Sequence, residues 1–192
     1  MGNSKVWLFR GLVIVAAGLM VVSWILPWWG ADAADIGKNV VIIHPYGLEQ
    51  HLGEFAVYIA GSEMPVWFAP LMWTYLGLCI AALLFSLFAS EKRVGLGKFK
   101  LSLPKLLIGG VGLSYIIVAV VAIIVAAIRT GAFDLPLQGS TSFTVGPERV
   151  SIDASLRFGY YMAYAVGLSC IALALLRDKI IGKPKLENKP EK

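Results

Sequence analysis

The chain has 192 residues, 58% of them apolar and 15% charged, where an average soluble domain has roughly 45–50% and about 25%. That balance excludes an ordinary soluble domain, a disordered chain and a coiled coil, and two cysteines inside apolar runs exclude a disulfide scaffold. The net charge of +5 does not call for nucleic acid as a partner, because the basic residues sit where membrane topology and anionic headgroups would put them.

In chain order, four stretches free of Asp, Glu, Lys, Arg and His are long enough to cross a hydrocarbon core, which takes about 20 helical residues: 11–29, 67–89, 106–128 and 158–176. Ser102-Leu103-Pro104 opens the third with the polar and proline start that a helix tolerates. The chain therefore reads as an all-α transmembrane four-helix bundle, one membrane domain over residues 1–181. Residues 182–192 form a tail too polar and proline-broken to fold alone. Lys5 and Arg10 before the first span, with Ala31-Asp32-Ala33 after it, imitate a secretory signal and its cleavage site. The apolar stretch is longer than the usual ~7–15-residue core and ends in Pro27-Trp28-Trp29, an interfacial anchor, so a retained span is expected. Met1-Gly2 resembles a myristoylation start, but Val6 stands where Ser or Thr is required.

Of the 17 basic residues, 13 lie in the N-terminal segment, the 90–105 loop and the C-terminal tail, leaving 4 for the two long loops, 30–66 and 129–157. Because Lys and Arg near spans are retained on the cytoplasmic side, both termini are predicted to be cytoplasmic in a multi-pass cell-membrane protein. The two outer loops, 37 and 29 residues long, exceed what a turn between helices requires. In the first, Val40-Val41-Ile42-Ile43 between Asn39 and His44-Pro45-Tyr46-Gly47 predicts a short strand and a turn. Leu48, Leu52, Phe55 and Ile59 then recur at helical spacing, while Phe55, Val57 and Ile59 alternate, so this segment stays open between helix and strand. In the second, a hairpin about Gly146-Pro147 pairs Val145 with Glu148 and sets Phe143 opposite Val150. Its polar face carries the candidate interaction residues Ser142, Thr144, Arg149 and Ser151, and its apolar face Phe143, Val145, Val150 and Ile152. A lone two-stranded ribbon is marginal in water, so the 40–43 strand is expected to cover it, giving a small extracellular β-sheet cap.

This organisation resembles the claudin-like tetraspan superfamily. Trp29 followed by Gly47-Leu48 looks like the Trp and Gly-Leu part of the claudin first-loop signature, with Glu49 in place of its second Trp and without its cysteine pair. The resemblance implies an architecture and an interaction role, and no binding site.

Chemistry-bearing residues are sparse. His44 and His51 share one outer loop with Glu49 and Glu54, which makes them weak metal candidates and, by default, solvated loop histidines. Cys79 and Cys170 are expected to be small packing residues. No phosphate loop, nucleophile elbow or catalytic carboxylate pair stands out, so no cofactor and no enzyme activity is expected of this chain. Spans whose polar residues are only Ser23, Thr74, Ser86, Ser114 and Ser169 argue against transport, and Arg129 reads as an interfacial snorkelling residue. Gly159, Ala163 and Gly167 make a small-residue stripe on the fourth helix, suited to close packing within the bundle or between subunits. Trp7, Trp28, Trp29, Trp67, Trp73, Tyr160 and Tyr161 read as interfacial anchors. The expected function is non-catalytic association, lateral or through the cap, with itself or with other integral membrane proteins in the bilayer. The alternative is an accessory subunit of a membrane enzyme complex, such as a respiratory or metal-dependent oxidoreductase.

Overall fold

A computed structural model of the chain describes residues 2–34, 37–50, 64–89, 93–96, 99–131, 135–145 and 148–181. The predicted tail at 182–192 and the turn at Gly146-Pro147 lie outside the described residues, as do Leu52, Phe55, Val57 and Ile59. Helix α1 (Gly2–Ile25) runs into β1 (Trp29–Ala33), followed by β2 (Gly37–His44) and β3 (Gly47–Gln50). Then come α2 (Phe68–Ser86), a hairpin of β4 (Arg93–Leu96) and β5 (Phe99–Ser102), α3 (Leu103–Gly131), a second hairpin of β6 (Gly139–Val145) and β7 (Glu148–Leu156), and α4 (Phe158–Ile181).

All four helices are long and apolar enough to cross a membrane. At about 1.5 Å per residue, the 19 residues of α2 extend about 28 Å and the 29 of α3 about 43 Å. Charge-free runs understate α3 and α4, because their charged ends stay helical: Lys105 on α3 forms an ion pair with Asp178 on α4. The first span is displaced: α1 begins at Gly2, ahead of Lys5 and Arg10, and ends at Ile25, where the chain turns through Pro27 into a strand. Val13, Met20, Trp24, Leu83, Ile108, Tyr115 and Cys170 are fully buried between the helices, and Cys79 is buried beside them. Within this core the Ser23 hydroxyl meets the Tyr115 hydroxyl at 2.7 Å and the Trp28 indole N–H donates to the Ser23 carbonyl at 2.8 Å, while the buried Trp24 indole N–H has no hydrogen-bond partner among the described residues. Each helix also turns large apolar side chains outward, including Leu12, Val15 and Leu19 on α1, Leu71, Leu78 and Phe85 on α2, Ile117, Val121 and Ile124 on α3, and Leu168 and Leu175 on α4. Helix α2 is the least enclosed of the four.

The predicted cap is present as a five-stranded antiparallel sheet in the order β3-β2-β1-β7-β6. The hairpin has the expected register, Val145 opposite Glu148 and Phe143 opposite Val150. Its neighbour is not the expected one. The hairpin pairs with β1, which separates it from the 40–43 strand. The reason lies in the bundle: β1 continues from α1 and β7 runs into α4. The junction is tied by the Arg157 N–H to the Trp28 carbonyl at 2.9 Å and the Gly159 N–H to the Pro27 carbonyl at 3.1 Å. Two packed helices thus deliver their attached strands side by side. Ala31-Asp32-Ala33, which resembled a cleavage site, is part of this central strand, with both alanines buried. The β4–β5 hairpin lies in a stretch to which the sequence reading assigned no element.

Candidate functional site

Because side chains alternate along a strand, the registers sort the cap into two faces. Trp29, Ala31 and Ala33 on β1 share one face with Val41 and Ile43 on β2, Leu48 on β3 and Ile152, Ala154 and Leu156 on β7, with Leu137 packed against them. Trp29, Ile43 and Leu48 fall in a single cross-strand row. The Trp29 indole N–H donates to the Leu137 carbonyl at 2.7 Å. Trp28, Trp29 and Tyr160 are therefore buried structural residues, correcting their assignment as interfacial anchors, whereas Trp7, Trp67, Trp73 and Tyr161 are exposed.

The opposite face carries a charged cluster at the junction of β1 and β7. The Arg157 guanidinium lies 2.8 Å from the Asp32 carboxylate, which also accepts the Asn39 backbone N–H at 2.6 Å. The Arg157 guanidinium beside it holds the Asp32 carboxyl below its ordinary pKa; burial opposes this, and the Asn39 N–H adds to it. Gly30 makes the contact accessible, since a Cβ there would come within 2.8 Å of Arg157 Nε. Asn39 adopts a positive φ of 59°, an uncommon backbone conformation that Asn tolerates better than most residues.

Of the predicted interaction residues, Ser142, Thr144 and Arg149 are exposed and Ser151 is half-buried, all on this polar face of the hairpin. Arg149 donates through Nε and Nη2 to the Ser142 hydroxyl at 3.0 and 2.9 Å, and Ser140 hydrogen-bonds to Asp153. Strand β6 is the end of the sheet, paired only with β7 among the described residues. Its sequence, GSTSFTV, has neither charge nor proline.

The small-residue stripe is engaged inside the bundle. A Cβ on Gly159 would come within 2.6 Å of the Pro27 carbonyl oxygen, and one on Gly167 would strike Ile116 and the Gly112 carbonyl oxygen of α3. Ala163 between them is completely buried.

His44 departs from the solvated-loop expectation. It ends β2 with only 7% of its surface exposed and stacks on Tyr46 at 5.0 Å, which in turn lies 5.0 Å from Trp73 of α2. Its Nε2 is 3.7 Å from Glu49, too far for a hydrogen bond, and its Nδ1 is buried with no partner. Burial, with the Glu49 charge adding to it, raises the Tyr46 hydroxyl above its ordinary pKa. His51 lies outside the described residues, and no group of three metal-ligating side chains occurs among the described ones.

Between the sheet and the helices is a recess of about 290 Å³, which the sequence did not foreshadow. The cap supplies Trp29, Ile43 and Leu48, α2 supplies Met72, and α3 supplies Val118 and Ala122. Its polar wall includes His44, Arg129 and Thr130. Arg129 is exposed at the last turn of α3 and has no ion-pair or hydrogen-bond partner among the described residues.

These features define a class of protein: four helices of membrane-crossing length with a small antiparallel sheet whose central strands continue α1 and lead into α4. No family model, curated protein or solved structure matches the chain.

Proposed function

We propose that the chain is a multi-pass membrane protein, with cytoplasmic termini and the five-stranded cap outside, that acts without catalysis by associating through the cap with itself or with other integral membrane proteins. The apolar side chains facing outward on all four helices support immersion in a bilayer, where water would penalise them. The distribution of basic residues supports the orientation. The claudin-like reading draws support from the row that joins Trp29, Ile43 and Leu48, because it brings the two parts of the first-loop resemblance together.

The observation that carries the association reading is strand β6. Exposed sheet edges are ordinarily blunted by charge, proline or a bulge, since their unpaired N–H and C=O groups accept another strand. Strand β6 is open along its outer side among the described residues and has no charge or proline. Its Ser142 and Thr144 side chains, with Arg149 beside them, are exposed. Such an edge suits main-chain pairing with a second strand, with side chains setting the choice of partner.

Replacing both Ser142 and Thr144 by Lys tests this. The variant should lack any oligomer or co-purifying membrane protein that wild type shows in native mass analysis, with only a modest fall in thermal stability in detergent, because the lysines remove the Arg149–Ser142 hydrogen bonds and set a second cation opposite Arg149. Association that survives the double substitution would refute a cap-mediated role, and recovery in fixed ratio with a redox subunit would favour the accessory-subunit alternative.

A further inference from the structure

We infer that the recess beneath the cap is a binding site for an anionic phospholipid, one of whose chains enters the apolar space while its phosphate meets Arg129 and His44. The inference rests on the membrane reading above. The cavity, at about 290 Å³, is at the small end of ligand pockets, which run roughly 300–1,000 Å³, and suits one flexible chain better than a large rigid ring system. Its walls are almost entirely apolar, from Trp29 and Leu48 of the cap to Met72 of α2 and Ala122 of α3. Helix α2, one side of the recess, is the least enclosed helix, so this wall borders the surface that lipid would cover.

The polar residues on the recess specify the head. Arg129 is a cation without a partner among the described residues. A guanidinium matches phosphate geometry and gains strength where water is thinned. His44 is more than nine-tenths buried and lines the same recess, and its Nδ1 has no hydrogen-bond partner. A buried polar atom left unpaired is costly, and a ligand that pairs with it removes that cost. Nδ1 therefore offers the headgroup one open hydrogen-bonding position, an acceptor in one imidazole tautomer and a donor in the other. A neutral apolar molecule would leave both Arg129 and His44 unanswered, and a zwitterionic headgroup would bring a second cation towards Arg129.

The test uses the full chain, delipidated in detergent and reconstituted with phosphatidylglycerol, phosphatidylcholine or oleate, with bound lipid counted by native mass spectrometry. Wild type should retain phosphatidylglycerol in preference to both others. Arg129→Gln should weaken that retention about tenfold, the loss of one charge-assisted contact. His44→Leu should weaken it as well, and Ala122→Phe, which fills the recess, should abolish it without lowering thermal stability. Lys38→Gln, at an exposed cation of β2 that does not line the recess, should leave it unchanged. Equal retention of phosphatidylglycerol and phosphatidylcholine, full retention by Ala122→Phe, or tighter binding of oleate would overturn the proposal. Carbonate extraction of the same variants from cells reports separately on membrane insertion: extraction of wild type would overturn the membrane reading, whereas an embedded protein with no lipid preference overturns only this site.

Discussion

Asp32 shows how one residue couples the cap to the bundle. Its carboxylate joins β1 to β2 through Asn39 and to the start of α4 through Arg157, and Gly30 leaves room for the guanidinium to cross. Because the folded pKa lies below the usual carboxylate value of about 3.9, the stabilisation is fully present above that value and is lost as pH falls through the lower, folded one. Thermal unfolding followed from pH 6 to pH 3 should therefore show an acid-side loss that is smaller in Asp32→Asn. At neutral pH the same variant should be less stable by about 1–2 kcal/mol, the range for a half-exposed, charge-assisted pair. Parallel acid limbs for the two proteins would show that the pair contributes nothing. Neither Asp32 nor Arg157 stood out in the sequence, because their 125-residue separation closes only when α1 and α4 pack together.

At the scale of elements, glycines two residues apart on α3 have opposite roles. A Cβ at Gly112 would fall 2.7 Å from the Gly167 carbonyl oxygen and 2.8 Å from the Cys170 Cβ, forcing α3 and α4 apart. A Cβ at Gly110 would meet nothing within 4 Å. Gly112→Ala should accordingly lower the unfolding temperature in detergent. Gly110→Ala should leave it unchanged or raise it, since alanine in a helix interior is favoured over glycine by roughly 0.5–1 kcal/mol. Ala163→Leu on the facing stripe should resemble Gly112→Ala, because that site has no exposed surface. The stripe was legible from its four-residue spacing. Its counterpart on α3 was not, because Gly109, Gly110 and Gly112 differ only in which of them faces a neighbour.

For the whole molecule, the question is orientation. Cysteines placed at Asn39 and Ser140, both exposed on the cap, should react with an impermeant thiol reagent in intact cells, and one at Lys5 should react only after the membrane is opened. Native Cys79 and Cys170 are buried and should add little background. Labelling of Lys5→Cys alone in intact cells would reverse the proposed topology.

Sequence by itself determined the four apolar helices and the β6–β7 hairpin with its register, because both are local patterns: runs long enough for a bilayer and alternation across a turn. It also marked the hairpin's polar face, since alternation alone sorts side chains to either side of a ribbon. Tertiary structure decided the rest. Strand β1 became the centre of the sheet because α1 and α4 deliver their ends together, which turned Trp28 and Trp29 from expected surface anchors into buried residues. The recess draws its walls from the cap, α2 and α3, and His44 became a buried group only through β2, Tyr46 and the packing of α2 beneath them. No local pattern records such a place, because a cavity is the space that separate elements leave between them once their own packing is settled.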